Sequence, residues 1–538
     1  MSPTQPPRAE LVATLTSPPA PDGSSLAALS SPPLQADWLE IRADLLLAQG
    51  AEVPSPQWLR QHTPARLLYT LRSRSEGGAD EGSPDERRQL LVAAGETGLD
   101  AAQGDSATRD PQSSWDAIDL EAERDLSGAV LTAVDAPRRV LSWHGAADQP
   151  VPDLASLRQR FDAMERVPAT LYKLIPAARR AGQELIPLLL LRQLQRRDVT
   201  AFATGAIASW TRLLTPRLGA PWVYCAATAA AAPGQLSLRR LVEDFGLPQL
   251  PPVEALFGLA GDPVHHSLSP RLHNAAYRAL GLPYLYLPFA VPHYGDFWLE
   301  VAESQALKQL GFPLRGLSVT SPHKAVALAV SGALSPLADA IGGANTLVRR
   351  ERVWEAESTD PAGVILPLLR RGLDLRGRPV AVVGCGGAGR AAAVGLAHSG
   401  AEVTLVNRST SRGQEVAGKL QLPFVALADF EPEPFDVVVH ATHLGHGAED
   451  PLPFEVESMG AGSAVVDMVY RQQATPLIQQ ARRRSLTAVD GREVLLFQAV
   501  DQFRLMTGTA LPPELIQHLG REVLRLEEED DLLGSPSA

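Results

Sequence analysis

The chain has 538 residues and a formal net charge of -12, so two to four domains are expected and the basic footprint of a nucleic-acid binder is excluded. The longest apolar run, Leu185–Leu191, ends at Arg192 and is too short for a membrane span. Two cysteines in different halves, Cys225 and Cys385, argue against a disulfide framework and for a reducing cytoplasm.

The amino terminus has no apolar stretch behind a basic start and reads as neither a secretory nor a transit signal. Eight short apolar runs then alternate with longer helical patterns: Leu11–Leu15, Trp38–Arg42, Leu67–Leu71, Ala117–Leu120, Arg139–Trp143, Thr170–Leu174, Val199–Thr204 and Trp222–Ala226. That alternation predicts a (β/α)8 barrel. Residues 76–110 read as loop-like and polar, so the helix after the third strand is poorly defined. Gly246-Leu-Pro-Gln-Leu-Pro-Pro252 reads as a linker. A new α/β unit begins at Ala255–Ala260. A further one begins at Pro379–Val383, where Gly384-Cys-Gly-Gly-Ala-Gly389 runs into a helical stretch, Arg390–Ser399, and the strand Glu402–Val406. The predicted division is a barrel over 1–249, a substrate-binding domain over 253–360 and a dinucleotide-binding domain over 361–490. A last helical stretch would cover 491–525, and an acidic, solvated tail would follow over 526–538.

In the first half, the residues that carry chemistry fall at predicted strand ends, which a barrel gathers on one face. Glu40 and Arg42 end the second strand and Arg72 the third, with Glu76 just beyond. His144 follows the fifth strand, Lys173 lies near the end of the sixth, Arg212 follows the seventh and Gln235 the eighth. A desolvated lysine with positive neighbours has a lowered pKa and can attack a ketone to form an imine. The imine draws electrons from the adjacent carbon, whose proton a histidine can take, while arginine holds a carboxylate.

Leu39-Glu-Ile-Arg-Ala-Asp44, Thr70-Leu-Arg-Ser-Arg-Ser-Glu-Gly-Gly78, Ser142-Trp-His144, Tyr172-Lys-Leu174 and Ala232-Pro-Gly-Gln235 resemble, in order and spacing, the motifs of type I 3-dehydroquinate dehydratases across residues 8–245. The resemblance implies that Lys173 forms a Schiff base, His144 is the general acid/base and Glu76 orients it. Glu40, Arg42, Arg72, Arg212 and Gln235 would hold hydroxyls and the carboxylate. Ala231 departs from the family, which has serine there, and a hydroxyl contact is lost.

In the second half, His266-Ser-Leu-Ser-Pro-Arg-Leu-His-Asn274 places two hydroxyls ahead of a helix, where both can face one carboxylate. Val319-Thr-Ser-Pro-His-Lys324, Gly343-Ala-Asn-Thr346 and Ser358-Thr-Asp360 follow, and a lysine paired with a carboxylate can pass a proton to a carbon-bound oxygen. The turn Gly384-x-Gly386-x-x-Gly389 sits between strand and helix, where a pyrophosphate is seated. Asn407-Arg-Ser-Thr-Ser-Arg412 brings two arginines and no acid to the next strand end, which predicts a 2′-phosphate and hence NADP. Cys385 reads as a packed small residue.

This half resembles shikimate dehydrogenases across residues 255–520, with Asp467-Met-Val-Tyr470, Thr475-Pro-Leu477 and Gln498-Ala499 as the carboxy-terminal signatures. The resemblance implies Lys324 and Asp360 as catalytic pair and Ser267 and Ser269 on the substrate carboxylate. Thr320, Asn345, Tyr470 and Gln498 would line the substrate site; Gly384, Gly386, Gly387, Gly389, Asn407, Arg408 and Arg412 would bind the cofactor. Ser318, Ser358 and His440 stand where asparagine is usual, and Pro361 where glycine is.

Together the two resemblances imply a bifunctional enzyme converting 3-dehydroquinate to 3-dehydroshikimate and then, with NADPH, to shikimate, its helices over 491–525 returning to the substrate-binding domain. No metal, nucleic-acid or membrane partner is expected. The rival readings are a quinate/shikimate dehydrogenase with an impaired dehydratase half, supported by Ala231, and a metabolite-sensing regulator on the same folds.

Overall fold

The computed structural model describes residues 8–98, 110–146, 148–445, 447, 450–471 and 473–525; the acidic tail read at 526–538 lies outside them. The chain divides into two compact units, residues 1–254 with 288–313, and residues 255–287 with 314–538.

In the first unit, one sheet is built from β1 (Glu10–Leu15), β2 (Trp38–Arg42), β3 (Arg66–Thr70), β4 (Ala117–Glu121), β5 (Arg139–His144), β6 (Leu171–Ile175), β7 (Val199–Ala201) and β8 (Trp222–Ala226). Its order is β8-β1-β2-β3-β4-β5-β6-β7, and every ladder is parallel. Across the seam between β7 and β8 the Thr200 hydroxyl donates to the Trp222 carbonyl at 3.5 Å, so the barrel is nearly closed. Strand periodicity sorts its interior into layers. Val12, Trp38, Leu68, Ala117, Val140, Leu171 and Trp222 form an apolar plug at the strand starts. Two residues further along stand Thr14, Glu40, Thr70, Asp119, Ser142, Lys173 and Tyr224, all buried. A polar layer on an apolar plug places the chemistry at the carboxyl ends of the strands.

The polar-loop reading of 76–110 is corrected: α1 (Pro84–Glu96) lies within it. The Ser83 hydroxyl accepts from the Glu86 amide at 3.3 Å, and the Glu86 carboxylate accepts from the Ser83 amide at 2.8 Å, a reciprocal cap with proline in the first turn. Arg87 anchors the helix, donating to Asp125 through two bonds of 2.7 Å and to Asp80 at 2.8 Å. Arg87 heads the buried face it shares with Leu91, Ala94 and Gly95, so a cation and small residues interrupt the apolar stripe by which periodicity is recognised. Residues 99–109 lie outside the described residues.

A six-stranded mixed sheet follows, from β9 (Ala255–Gly261), β10 (Tyr284–Ala290), β11 (Leu314–Val319), β12 (Ala333–Leu334), β13 (Thr346–Arg350) and β14 (Val353–Glu357), in the order β10-β9-β11-β13-β14-β12. The last sheet contains β15 (Pro379–Val383), β16 (Glu402–Asn407), β17 (Phe424–Ala426), β18 (Val437–His440), β19 (Ala464–Asp467) and β20 (Thr487–Val489). It is all parallel, in the order β17-β16-β15-β18-β19-β20. This is the doubly wound dinucleotide order, whose crevice opens where the order reverses, between β15 and β18. Covered on both faces, its strands read as near-continuous valine, including the buried Val380, Val382, Val383, Val437, Val438 and Val439. Among the described residues, no helix is long and apolar enough to cross a membrane.

Two candidate active sites

The barrel brings Glu40, Arg42, Arg72, Glu76, His144, Lys173, Arg212 and Gln235 to the lining of one cavity of about 480 Å3. Lys173 Nζ lies 3.3 Å from Asp119 Oδ2, 3.7 Å from Glu40 Oε1 and 4.0 Å from the centre of the Tyr224 ring. The sequence reading gave this lysine positive neighbours; the charges in contact with it are carboxylates. Glu40 accepts from the hydroxyls of Thr14 at 2.7 Å and Thr70 at 2.9 Å. Gln235 donates to Thr14 at 3.2 Å and accepts from the Ala231 amide at 2.7 Å, so a backbone N–H at position 231 holds the glutamine.

The three arginines differ. Arg42 donates twice to Asp44, at 2.9 and 2.7 Å, and Arg72 donates to Asp119 at 2.8 Å, Ser142 at 2.9 Å and Glu76 at 3.1 Å. Arg212 is 1% exposed, stacks 4.9 Å from the Phe202 ring and pairs with no carboxylate among the described residues. Burial pushes its pKa down to about 10. Burying a cation without a counter-charge is costly, and a ligand carboxylate at this position removes the cost.

His144 Nδ1 lies 3.2 Å from Glu76 Oε2, which also accepts from the His144 amide at 3.0 Å. Burial, then the positive charges of Arg72, Lys173 and Arg42, hold the imidazole well below its ordinary 6.5, so it is neutral and able to take a proton. Burial pushes the Glu76 carboxyl up to about 8, against the pull of Arg72. The sign of the His144 shift sets an expectation. A depressed pKa keeps the base form present as pH falls, so the acid limb of dehydratase kcat/KM lies below pH 6.5. A pH–rate profile checks this, and half-maximal activity at or above pH 6.5 contradicts a neutral, buried base.

Sequence reasoning missed Asp119, Glu121, Thr14, Thr70, Ser142 and Tyr224. Asp119 and Glu121 are 1% and 0% exposed, and Glu121 accepts from the Ser73 amide and hydroxyl, both at 2.7 Å. A signal was available: Ala117-Ile-Asp-Leu-Glu121 puts two acids at period two in an apolar strand, which aims both into the barrel.

In the second unit, Lys324 Nζ donates to Asp360 Oδ2 at 2.5 Å. The other oxygen, Asp360 Oδ1, accepts from Asn345 at 2.7 Å and Gln498 at 2.9 Å. Asn345 in turn accepts from the Thr359 amide at 2.8 Å, so loops and the helix α2 (Gly491–Thr507), which carries Gln498, fix the carboxylate from three sides. Ser267 accepts from the Ser269 amide at 3.2 Å and hydrogen-bonds the Tyr470 side chain. Ser269 is the buried first residue of its helix, and Thr320, half-buried, follows β11 directly.

The departures from the family pattern have definite surroundings. Ser318 donates to Gln502 at 2.9 Å, and the Ser358 hydroxyl oxygen is buried with no hydrogen-bond partner among the described residues. His440 bridges Asp467 at 2.9 Å and Thr442 at 2.6 Å. Pro361 occupies a first-turn position, where a missing N–H costs no helical bond.

The glycine turn is built for close approach. A Cβ on Gly389 would sit 1.8 Å from the Gly384 carbonyl oxygen, and Gly384 has φ +117 with the Ala441 carbonyl oxygen 2.6 Å from where its Cβ would be. A Cβ on Gly387 would lie 3.5 Å from Lys324 Cδ, which sets the turn against the lysine–aspartate pair. Asn407 accepts from the Cys385 amide at 3.3 Å. Arg408 and Arg412 are exposed at the end of β16 and carry no ion pair among the described residues. Cys385 is packed in the core beneath, as expected.

Fold and sites together define a two-site α/β enzyme, one site inside a barrel and the other at a dinucleotide fold. Residues 23–249 match the family described as type I 3-dehydroquinase, and residues 259–347 match the shikimate dehydrogenase substrate binding domain. The NADP(+) shikimate dehydrogenase of Rubrobacter xylanophilus is 39% identical over 275 residues, covering 49% of this chain and 94% of that protein. The chloroplastic bifunctional 3-dehydroquinate dehydratase/shikimate dehydrogenase of Arabidopsis thaliana is 27% identical over 509 residues, 90% of this chain and 79% of that one. Among solved structures, shikimate 5-dehydrogenase from Thermus thermophilus in complex with NADP(H) and shikimate is 32% identical, with a TM-score of 0.45, over 50% of this chain and 99% of that one. The chain belongs to the shikimate dehydrogenase family and carries a type I 3-dehydroquinase domain ahead of it.

Proposed function

We propose that the chain dehydrates 3-dehydroquinate to 3-dehydroshikimate in the barrel and reduces that product with NADPH to shikimate in the second unit. The observation that carries the first half is the convergence of Lys173, neutral His144 and partnerless Arg212 on one cavity. Arg212 takes the substrate carboxylate, and Glu40 and Gln235 hold hydroxyls, with Arg42 and Arg72 ordering the carboxylates around them. Lys173 Nζ adds to the ketone carbon and the carbonyl oxygen leaves as water, forming an imine. His144 takes the proton from the neighbouring carbon as the electron pair moves toward the iminium. It returns that proton to the departing hydroxyl, and a second water hydrolyses the imine to free the lysine. Glu76 orients His144.

In the second unit, the glycine turn, Asn407, Arg408 and Arg412 suit a dinucleotide bearing a 2′-phosphate, because Gly384 and Gly389 leave no room for a Cβ and the two arginines carry no ion pair among the described residues. Bound NADPH supplies the hydride. Lys324 gives a proton to the reacting oxygen, and Asp360 keeps it charged and aimed. Ser267, Ser269 and Tyr470 hold the carboxylate, and Thr320, Asn345 and Gln498 line the rest of the site. The functional division follows: barrel 1–249, substrate-binding domain 253–360, cofactor domain 361–490 and returning helices 491–525. The cytoplasm is the compartment this reading implies, supported by two buried free thiols.

Supplying only 3-dehydroquinate and NADPH is the test. Shikimate should form with one NADPH consumed per turnover. NADPH consumption seen only with added 3-dehydroshikimate would select the rival with an impaired dehydratase half, and no turnover of either would favour a sensing role. A second expectation concerns cofactor choice. Replacing Arg408 and Arg412 by glutamine removes charge-assisted hydrogen bonds worth about 1.5–3 kcal/mol each, so KM for NADPH should rise tenfold or more while that for NADH hardly moves. Equal losses for both cofactors would show that these arginines do not read the 2′-phosphate.

A further inference from the structure

A second cavity, of about 220 Å3, lies in the first unit and is lined by Arg192, Gln195, Arg196, Arg197, Arg217 and Gly219. Its residues sit in the last turn of the helix Ile186–Leu194, directly after it, and just ahead of β7 and β8, at the amino ends of the strands, the face opposite Lys173. Arg196 is fully engaged, donating to Asp198 at 2.9 and 2.6 Å and to Glu165 at 2.8 Å. Arg192, Arg197 and Arg217 carry no ion pair among the described residues. Arg217 is half-buried, and its Nε and Nη2 are shielded from water without a hydrogen-bond acceptor among the described residues. Burial accordingly pushes its pKa down.

Arg192, Arg197 and Arg217 outweigh the one negative charge that Asp198 and Glu165 leave over after pairing with Arg196, so the small cavity keeps a net positive charge, and two orphaned N–H donors add a desolvation cost. The carboxyl end of the helix Ile186–Leu194 contributes roughly half a negative charge, which offsets the remaining positive charge only in part. Guanidinium forks match the geometry of a tetrahedral oxyanion. The cavity is smaller than those that enclose drug-sized ligands, which suits a compact anion. We propose that this cavity binds a phosphate dianion, either free or as the monoester of a small metabolite, at a site separate from both reactions.

The test is calorimetric titration of the full chain at low chloride and with saturating NADP, which occupies Arg408 and Arg412. Inorganic phosphate, glycerol 3-phosphate and phosphatidylglycerol vesicles are the probes. Wild type should bind phosphate saturably at one site, and Arg217→Met and the double variant R192Q/R197Q should each weaken it tenfold or more. Because R192Q/R197Q changes only exposed side chains, it folds even if Arg217→Met does not, and its dehydration and reduction rates should equal those of wild type. Tighter binding of glycerol 3-phosphate identifies a monoester, and equal affinity identifies free phosphate. Absence of saturable binding, undiminished affinity in R192Q/R197Q, or binding to vesicles alone would overturn the proposal.

Discussion

Lys173→Ala should lower dehydration of 3-dehydroquinate by about 10⁵-fold or more, the scale on which a correctly held nucleophile outruns one in solution. No other lysine lines the cavity, so no other ammonium group can take over the imine. Borohydride added with 3-dehydroquinate should reduce the imine to a stable secondary amine. Ligand mass should then appear on the peptide containing Lys173 in wild type, and nowhere in the variant. Reduction of supplied 3-dehydroshikimate should continue, because Lys324, Asp360 and their partners are untouched, and that activity doubles as the control for folding. The control matters because Asp119 and Glu40, both buried, lose the cation beside them. Normal dehydration without an adduct in wild type would rule out imine chemistry. Loss of both activities in a folded variant would mean the sites are coupled.

Lys324→Ala should cut reductive turnover by about 10²–10⁴-fold, the usual cost of losing a positioned acid. NADPH affinity should change little, because the glycine turn and Arg408 and Arg412 remain. Asp360→Asn is the companion: it preserves an oxygen for Asn345 and Gln498 but removes the charge facing Lys324 at 2.5 Å, so turnover should fall in the same direction. Steady-state kcat beside cofactor binding by fluorescence separates the two effects. A Lys324→Ala enzyme that keeps near-normal kcat would remove this lysine from the chemistry.

Both folds were legible because their strands are buried on two faces and bounded by polar turns, so they stand out as apolar runs. The glycine turn was legible because its backbone at Gly384 and Gly389 approaches its neighbours too closely for a Cβ, a constraint only glycine meets. α1 was illegible to periodicity because its buried face carries the ion-paired Arg87 and the small Ala94 and Gly95, with Leu91 as its one large apolar residue. Its Ser83-Pro84-x-Glu86 cap was the readable sign.

What the order of residues determined by itself was the pair of folds, the identity of the chemical groups at the strand ends and the absence of an acid near Arg408. These depend on local period, on turn chemistry and on residue type, all written along the chain. What the tertiary structure alone decided was the role left to each group. Arg42 and Arg72 are taken up by buried carboxylates while Arg212 is free, and Lys173 faces Asp119 and Glu40 rather than a positive neighbour. Such pairings join residues from different strands across the barrel. Charge balance, burial and hydrogen bonding are set by that three-dimensional neighbourhood, in which Asp119 and Lys173 meet although 54 positions separate them.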